Sequence, residues 1–152
     1  MSVSAVVPPF YKYAFTYFDP IVTAWAAYMD FATPQTVVDS FIPNTPRNPD
    51  LDMFFQQTAG YMLGLSFLQA VLLRSTSELK IWNVLQYATL IIDAFHLYSL
   101  HWGLSRQGRL DPGQWRGEDW GCVLITVIAT VYRLAFVLGI GFRAANRNVK
   151  IS

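Results

Sequence analysis

Three ionisable side chains stand within apolar stretches of the chain, the first of which also holds Lys12 and Asp30. Asp19 lies in the stretch Phe10–Ala32, Asp93 in Ile81–Ser105 and Arg133 in Trp120–Phe142, and the last two stretches hold no other Asp, Glu, Lys or Arg. A lone charge in an apolar interior costs several kcal/mol, so such groups pair, face water or neutralise. Two carboxylates facing one guanidinium leave a negative charge in excess. Sharing one proton between them relieves it and sets a neutral carboxylic acid beside a carboxylate, the division of labour that acid–base catalysis needs. The same three residues also fit a structural ion pair that locks helices together.

Other polar residues line up with these three. Gln86, Asp93 and His96 recur at spacings of seven and three, which places them on one face of a helix and offers an acid and an imidazole side by side. Thr126, Thr130 and Arg133 follow at four and three on another helix. Gln57 and Tyr61 share a face that suits substrate binding or lipid headgroups, next to Gly60 and Gly64, which suit close helix packing. Tyr87 and Tyr98 are further donors, although interfacial belts account for most membrane tyrosines. His101 and Cys122 complete no ligand set with His96, so no metal site is expected. No glycine-rich phosphate loop, haem or flavin fingerprint is present, so no cofactor is expected either.

The elements that must position these groups follow from composition. Of 152 residues, 53% are hydrophobic and 14% charged, with mean hydropathy +0.30, where a soluble domain carries about 25% charged residues. One cysteine rules out a disulfide scaffold, the apolar content rules out disorder, and a net charge of +1 without a basic run makes nucleic acid an unsuitable partner. The charge-poor stretches predict a single domain over 1–152, an all-α integral membrane four-helix bundle with spans near 10–32, 53–73, 81–103 and 120–142. At 1.5 Å per residue, Asp19, Asp93 and Arg133 then fall within about 5 Å of one depth.

Punctuation agrees with these limits. Thr33–Pro34 closes the first helix, Pro43 to Pro49 reads as an ordered loop, and Ser75-Thr-Ser77 ends a tight turn that makes the second and third helices antiparallel neighbours. Trp82, Trp102, Trp115 and Trp120 are expected at interfaces. Between the last two spans lies Gly108-Arg-Leu-Asp111-Pro-Gly-Gln-Trp115-Arg-Gly-Glu118-Asp119-Trp120, either a solvated anchor or a lid held by Arg109, Arg116, Glu118 and Asp119. Lys12, Arg74, Lys80, Arg143, Arg147 and Lys150 outnumber Arg47, Arg106, Arg109 and Arg116, which mildly favours cytosolic termini. No cleavable signal pattern or internal repeat is evident, so a multi-pass protein of the endoplasmic reticulum is expected.

Phe18-Asp19-Pro20, Asp93, the Gly108–Trp120 loop and Arg133 together resemble a family of small four-span fungal membrane proteins. Some of its members belong to polyketide gene clusters for polyene-α-pyrones of the aurovertin, asteltoxin and citreoviridin type and are described as epoxide hydrolases or cyclases. The resemblance covers about the whole chain. It implies a cofactor-independent epoxide hydrolase or cyclase acting on an apolar polyketide within the bilayer, a reaction that the charged residues read above would suit with Asp19 and Asp93 as the acid–base pair. Arg133 would then hold one carboxylate ionised, and His96, Gln57, Tyr61, Gln86 and Thr130 would position nucleophile and oxirane. A membrane terpene cyclase, a sterol-type isomerase and a non-catalytic scaffold subunit remain open alternatives, and so small a bundle leaves room for a homodimer.

Overall fold

The computed structural model describes residues 7–142, and among them every regular element is helical. Helix α1 covers 9–32 as Pro9–Tyr13, a π-helical turn Ala14–Phe18 and Asp19–Ala32, and α2 is Pro34–Phe41. Helix α3 covers 52–75 as Asp52–Phe67, a second π turn Leu68–Leu72 and Leu73–Ser75. Helix α4 is Leu79–Arg106 and α5 is Gly117–Val137. Four of these lie close to the expected spans. One of them, Gly117–Val137, is long and apolar enough to cross a membrane. Helices α1 and α3 are interrupted by their π turns, and α4 interleaves Gln86, Asp93, His96 and His101 with its apolar residues.

The fifth helix, α2, was not expected from the Thr33–Pro34 stop. Thr33 does leave the helical region, with φ −138° and ψ 53°, and ends α1. Pro34 then starts α2, since a residue without an N–H and with φ fixed near the helical value is suited to a first helical position. Helix α5 ends earlier than the expected Phe142. Gly139 adopts φ 70°, Ile140 N–H donates to Ala135 C=O and Gly139 N–H to Phe136 C=O, each at 2.9 Å, a left-handed C-cap that closes the helix. Arg143, Arg147 and Lys150, which entered the charge count, lie outside the described residues.

Pro20 shapes α1. A proline cannot donate to the carbonyl four residues back, and its ring crowds that carbonyl, so the Thr16 C=O is freed from the ladder. The π turn Ala14–Phe18 surrounds this point, and Arg74 of α3 donates from Nη2 to the Thr16 carbonyl at 2.6 Å while its guanidinium lies 4.2 Å from the Tyr17 ring centroid. Four residues on, Ser66 of α3 donates to the Pro20 carbonyl at 2.8 Å. The break is thus filled by α3, and these bonds set α1 against α3 in register. Ala27 and Ala59, both buried, allow close approach further along.

The molecule is built from two helix pairs, α1 with α3 and α4 with α5. Although the turn between α3 and α4 is as short as expected, the two helices do not pack along their lengths; they meet near the turn, where Leu73 joins Trp82 and Leu85. Side chains from both pairs fill that end: Tyr11, Ala14 and Phe15 of α1, Leu73 of α3, Trp82 and Leu85 of α4, and Tyr132 and Phe136 of α5. Phe15 and Phe136 meet edge to face with centroids 5.0 Å apart, a favoured aromatic geometry. Trp82 is therefore a core residue rather than an interfacial one, and its indole N–H donates to the Thr76 carbonyl of the turn. Gly60 and Gly64 depart from expectation too. A Cβ at either would meet nothing within 4 Å, so neither mediates helix contact here.

At the other end α2 bridges the pairs. Arg116 donates to the carbonyls of Asp39 at 3.1 Å and Ser40 at 2.7 Å, capping the C-terminal end of α2, where unpaired carbonyls carry partial negative charge. Asp119, buried, accepts from Arg109 and Arg116, and Gln107 donates to the Phe41 carbonyl at 3.1 Å. Three members of the expected lid therefore hold one another; Glu118 is exposed in the first turn of α5.

Replacing Arg74 by Ala is expected to cost about 1 kcal/mol, the usual worth of a partly exposed hydrogen bond, read as a lower thermal midpoint in detergent. Pro20→Ala restores an N–H for Thr16, so Arg74→Ala should cost clearly less in that background. A double-mutant cycle with no coupling would show that Arg74 does not act by filling the proline break.

Candidate active site

The depth arithmetic brings three residues together, and the structure joins them directly. Arg133 of α5 donates from Nη1 to Asp93 Oδ2 of α4 at 2.5 Å and from Nη2 to Asp19 Oδ2 of α1 at 2.8 Å. The side chains of Arg133, Asp19 and Asp93 are 7%, 4% and 11% exposed. Asp19 begins the helical segment that follows the π turn, adjacent to Pro20, so the break in α1 sets its position. Asp93 shares a buried face with Leu85, Gln86 and Thr89, and Arg133 shares one with Tyr132 and Phe136.

A fourth member, Tyr132, escaped sequence analysis. Its hydroxyl donates to Asp19 Oδ1, and its ring lies 5.5 Å from the Arg133 guanidinium carbon. The signal that marks it is its position four residues before Phe136, on the stripe that turns Arg133 inward. Both oxygens of Asp19 thus accept hydrogen bonds, one from a phenol and one from a guanidinium, as suits an ionised carboxylate. Asp93 differs. Its Oδ2 takes Arg133, while its Oδ1 has no partner among the described residues. The two aspartates are chemically unequal, a distinction the sequence leaves open.

The remaining candidates divide. Gln86 is fully enclosed, one turn from Thr89 and two from Asp93 along α4. Gln69 of α3, unmarked at the outset, is also fully enclosed; its one sequence signal is an amide set between Leu68 and Ala70 within a charge-free run. Thr130 donates to the Thr126 carbonyl of its own helix at 2.8 Å. Gln57 and Tyr61 hydrogen-bond each other at 3.2 Å on an exposed face of α3, away from the ion cluster. His96 is exposed and makes no hydrogen bond with Asp93; its ring stands 6.2 Å from Phe41 of α2. The expected Asp–His pair does not form, because a three-residue step leaves His96 about 60° around the helix from Asp93, toward α2 rather than the interior.

The Gly108–Trp120 loop is remote from these groups. Asp119 is separated from Arg133 by fourteen residues of one helix, about 21 Å at 1.5 Å per residue, so the loop clasps α2 and does not close directly on the carboxylates. Among the described residues no group of three or more His, Cys, Asp and Glu side chains is placed to hold a metal ion.

The chain belongs to a family described as a domain of unknown function (DUF7704), whose pattern matches residues 4–143. No curated protein and no solved structure matches it.

Removing one partner from such a cluster leaves a buried charge uncompensated, so Arg133→Met is expected to destabilise by about 3–5 kcal/mol. Tyr132→Phe, which unpairs one oxygen of Asp19, should cost about 1–3 kcal/mol. Thermal unfolding in detergent ranks the two; a Tyr132→Phe loss equal to that of Arg133→Met would mean that the ion pairs contribute little.

Proposed function

We propose that this member of the DUF7704 family is a four-span membrane enzyme that opens epoxides of an apolar, polyketide-like substrate by carboxylate acid–base chemistry. The observation that carries the reading is the placement of two aspartates on one arginine in the interior, one saturated with donors and one with a free oxygen.

In this reading Asp93 carries the proton on Oδ1, and Asp19 is the carboxylate that balances Arg133. As the oxirane C–O bond breaks, Asp93 gives its proton to the departing oxygen. Water, or a hydroxyl of the substrate itself, forms the new C–O bond and yields its proton to Asp19, displacing the Tyr132 hydrogen bond. The products are a vicinal diol or a cyclic ether bearing an alcohol. One proton has then moved from Asp93 to Asp19, and because Arg133 contacts both, the charge is exchanged across a single guanidinium. Return of the proton completes the cycle. Developing alkoxide charge meets a preformed cationic site, the kind of electrostatic stabilisation that lowers such barriers most.

The surface supports the membrane setting. Large apolar side chains stand exposed along every long helix, among them Ile21 at 68% on α1, Phe67 at 62% on α3, Phe95 at 70% on α4 and Ile128 at 60% on α5. Apolar surface on this scale suits lipid rather than water. Helices α1 and α3 run to about 36 Å and α4 to about 42 Å at 1.5 Å per residue, a little less where α1 and α3 pass through their π turns, beyond the roughly 30 Å hydrocarbon core. A cysteine at Thr76 and one at Gln114, each in a Cys122→Ser background, should react with an impermeant maleimide from opposite faces of sealed microsomes. Labelling of both from one face would refute the four-span arrangement.

A structural fastener is the second reading, and the three helices that Arg133 joins favour it. Asp93→Asn separates the two: an enzyme folds as before and turns over a lipophilic polyepoxide at least about 100-fold more slowly, whereas a fastener loses thermal stability. Normal turnover by Asp93→Asn and Asp19→Asn variants would overturn the catalytic assignment. Reaction in 18O-water distinguishes hydrolysis, which incorporates one labelled oxygen per opened ring, from cyclisation, which incorporates none.

A further inference from the structure

Two fully enclosed glutamines have no partner at either end of their side chains. For Gln69 of α3 and Gln86 of α4, neither Oε1 nor Nε2 has a hydrogen-bonding group within reach among the described residues, and the Nε of Arg133 is enclosed and unpartnered as well. Buried polar atoms are nearly always satisfied, so several orphans in one part of a bundle indicate a missing partner rather than scatter.

The two glutamines lie at one height, and Arg133 belongs to the ion cluster beyond them. Gln69 lies one turn inward from Leu73, and Gln86 one turn inward from Trp82, two members of the same core cluster. Toward the middle of the bundle, Ser66, three residues from Gln69, bonds the Pro20 carbonyl next to Asp19, and Thr89 and Asp93 follow Gln86 along α4. Both amides therefore stand between the aromatic cluster and the ion cluster. The amides do not satisfy each other.

The chemistry of the orphans identifies what fits them. A carboxamide presents a donor and an acceptor, and Arg133 Nε–H is a donor only. An anion, ether, epoxide or ketone accepts but cannot donate, leaving both Oε1 atoms unpaired. An ammonium donates but cannot accept. A hydroxyl oxygen does both. We propose that Gln69, Gln86 and Arg133 Nε form an interior site for hydroxyl oxygen, supplied by water or by an alcohol. Asn83 stands between it and the surface: it lines an open depression with Glu78, Lys80 and Tyr87, its own Oδ1 is enclosed and unpartnered, and Gln86 follows one turn along α4. The site stands whether or not the carboxylates are catalytic; if they are, it puts the attacking oxygen beside Arg133.

The test uses the full chain in lipid nanodiscs with 15N-labelled glutamine side chains, the two inner amides assigned by loss of one signal pair in Gln69→Leu and in Gln86→Leu. Long-lived water contacts at both amides that persist when 1,2-hexanediol is added support the site with water as occupant. Loss of those contacts with shifted amide signals on adding 1,2-hexanediol supports it with an alcohol. Amides that contact only each other, with neither water contact nor a diol response, would overturn it, and so would equal shifts with dibutyl ether, which accepts but cannot donate. Thermal midpoints give an independent readout. Each Leu variant is expected to melt lower because an occupied site is lost, and a higher midpoint would show the amides to be dry orphans.

Discussion

Arg133 holds two carboxylates from two other helices in the buried interior, and much of the arrangement of the molecule follows from that contact. A guanidinium offers donors in a fixed planar fork, so the residues it engages are constrained in direction as well as distance. Asp19 on α1 and Asp93 on α4 must stand at one depth, and α5 must present Arg133 between them. In a low-dielectric interior none of the three can be left alone without large cost. The cluster therefore joins the two helix pairs at the middle of the bundle, where their backbones are too far apart to pack closely.

What keeps those pairs apart is the size of the side chains between them. Phe15, Trp82, Tyr132 and Phe136 fill the end near the α3–α4 turn, while at the opposite end α2 and the Arg109–Arg116–Asp119 clasp span the gap. Interior polar groups are thus enclosed by an aromatic plug on one side and a bridging helix on the other. The break at Pro20 serves the same centre. It displaces the start of the following helical segment, where Asp19 sits, and Arg74 and Ser66 satisfy the carbonyls around it. A residue that weakens a helix has been placed where its neighbours supply the missing donors.

Saturation of Asp19 against the free oxygen of Asp93 gives one centre two chemical characters. A symmetrical pair would offer no reason for a proton to reside on either member. Here Tyr132 breaks the symmetry, and the enclosed amides of Gln69 and Gln86 add a neutral polar layer beside the charges.

Much of this was legible in the residues themselves. Three charge-poor stretches of sufficient length and a fourth, apolar one that carries Lys12, Asp19 and Asp30 mark the four long helices, because hydrophobic run length and charge spacing are properties of the chain, and the common depth of Asp19, Asp93 and Arg133 follows from helical rise alone. Other features depended on packing. Helix α2 rests on the same proline that ends α1, which by sequence reads as a stop. Trp82 faces inward because Leu73 and Phe15 leave space for it; composition alone would send an indole to an interface. The roles of Tyr132 and Gln69, and the separation of His96 from Asp93, depend on how each helix is rotated about its axis. That rotation is a balance among all the side chains at each contact. Sequence therefore determined where the four long helices run and at what height the charges lie, and tertiary structure decided which faces meet, since height accumulates along one chain while facing requires two.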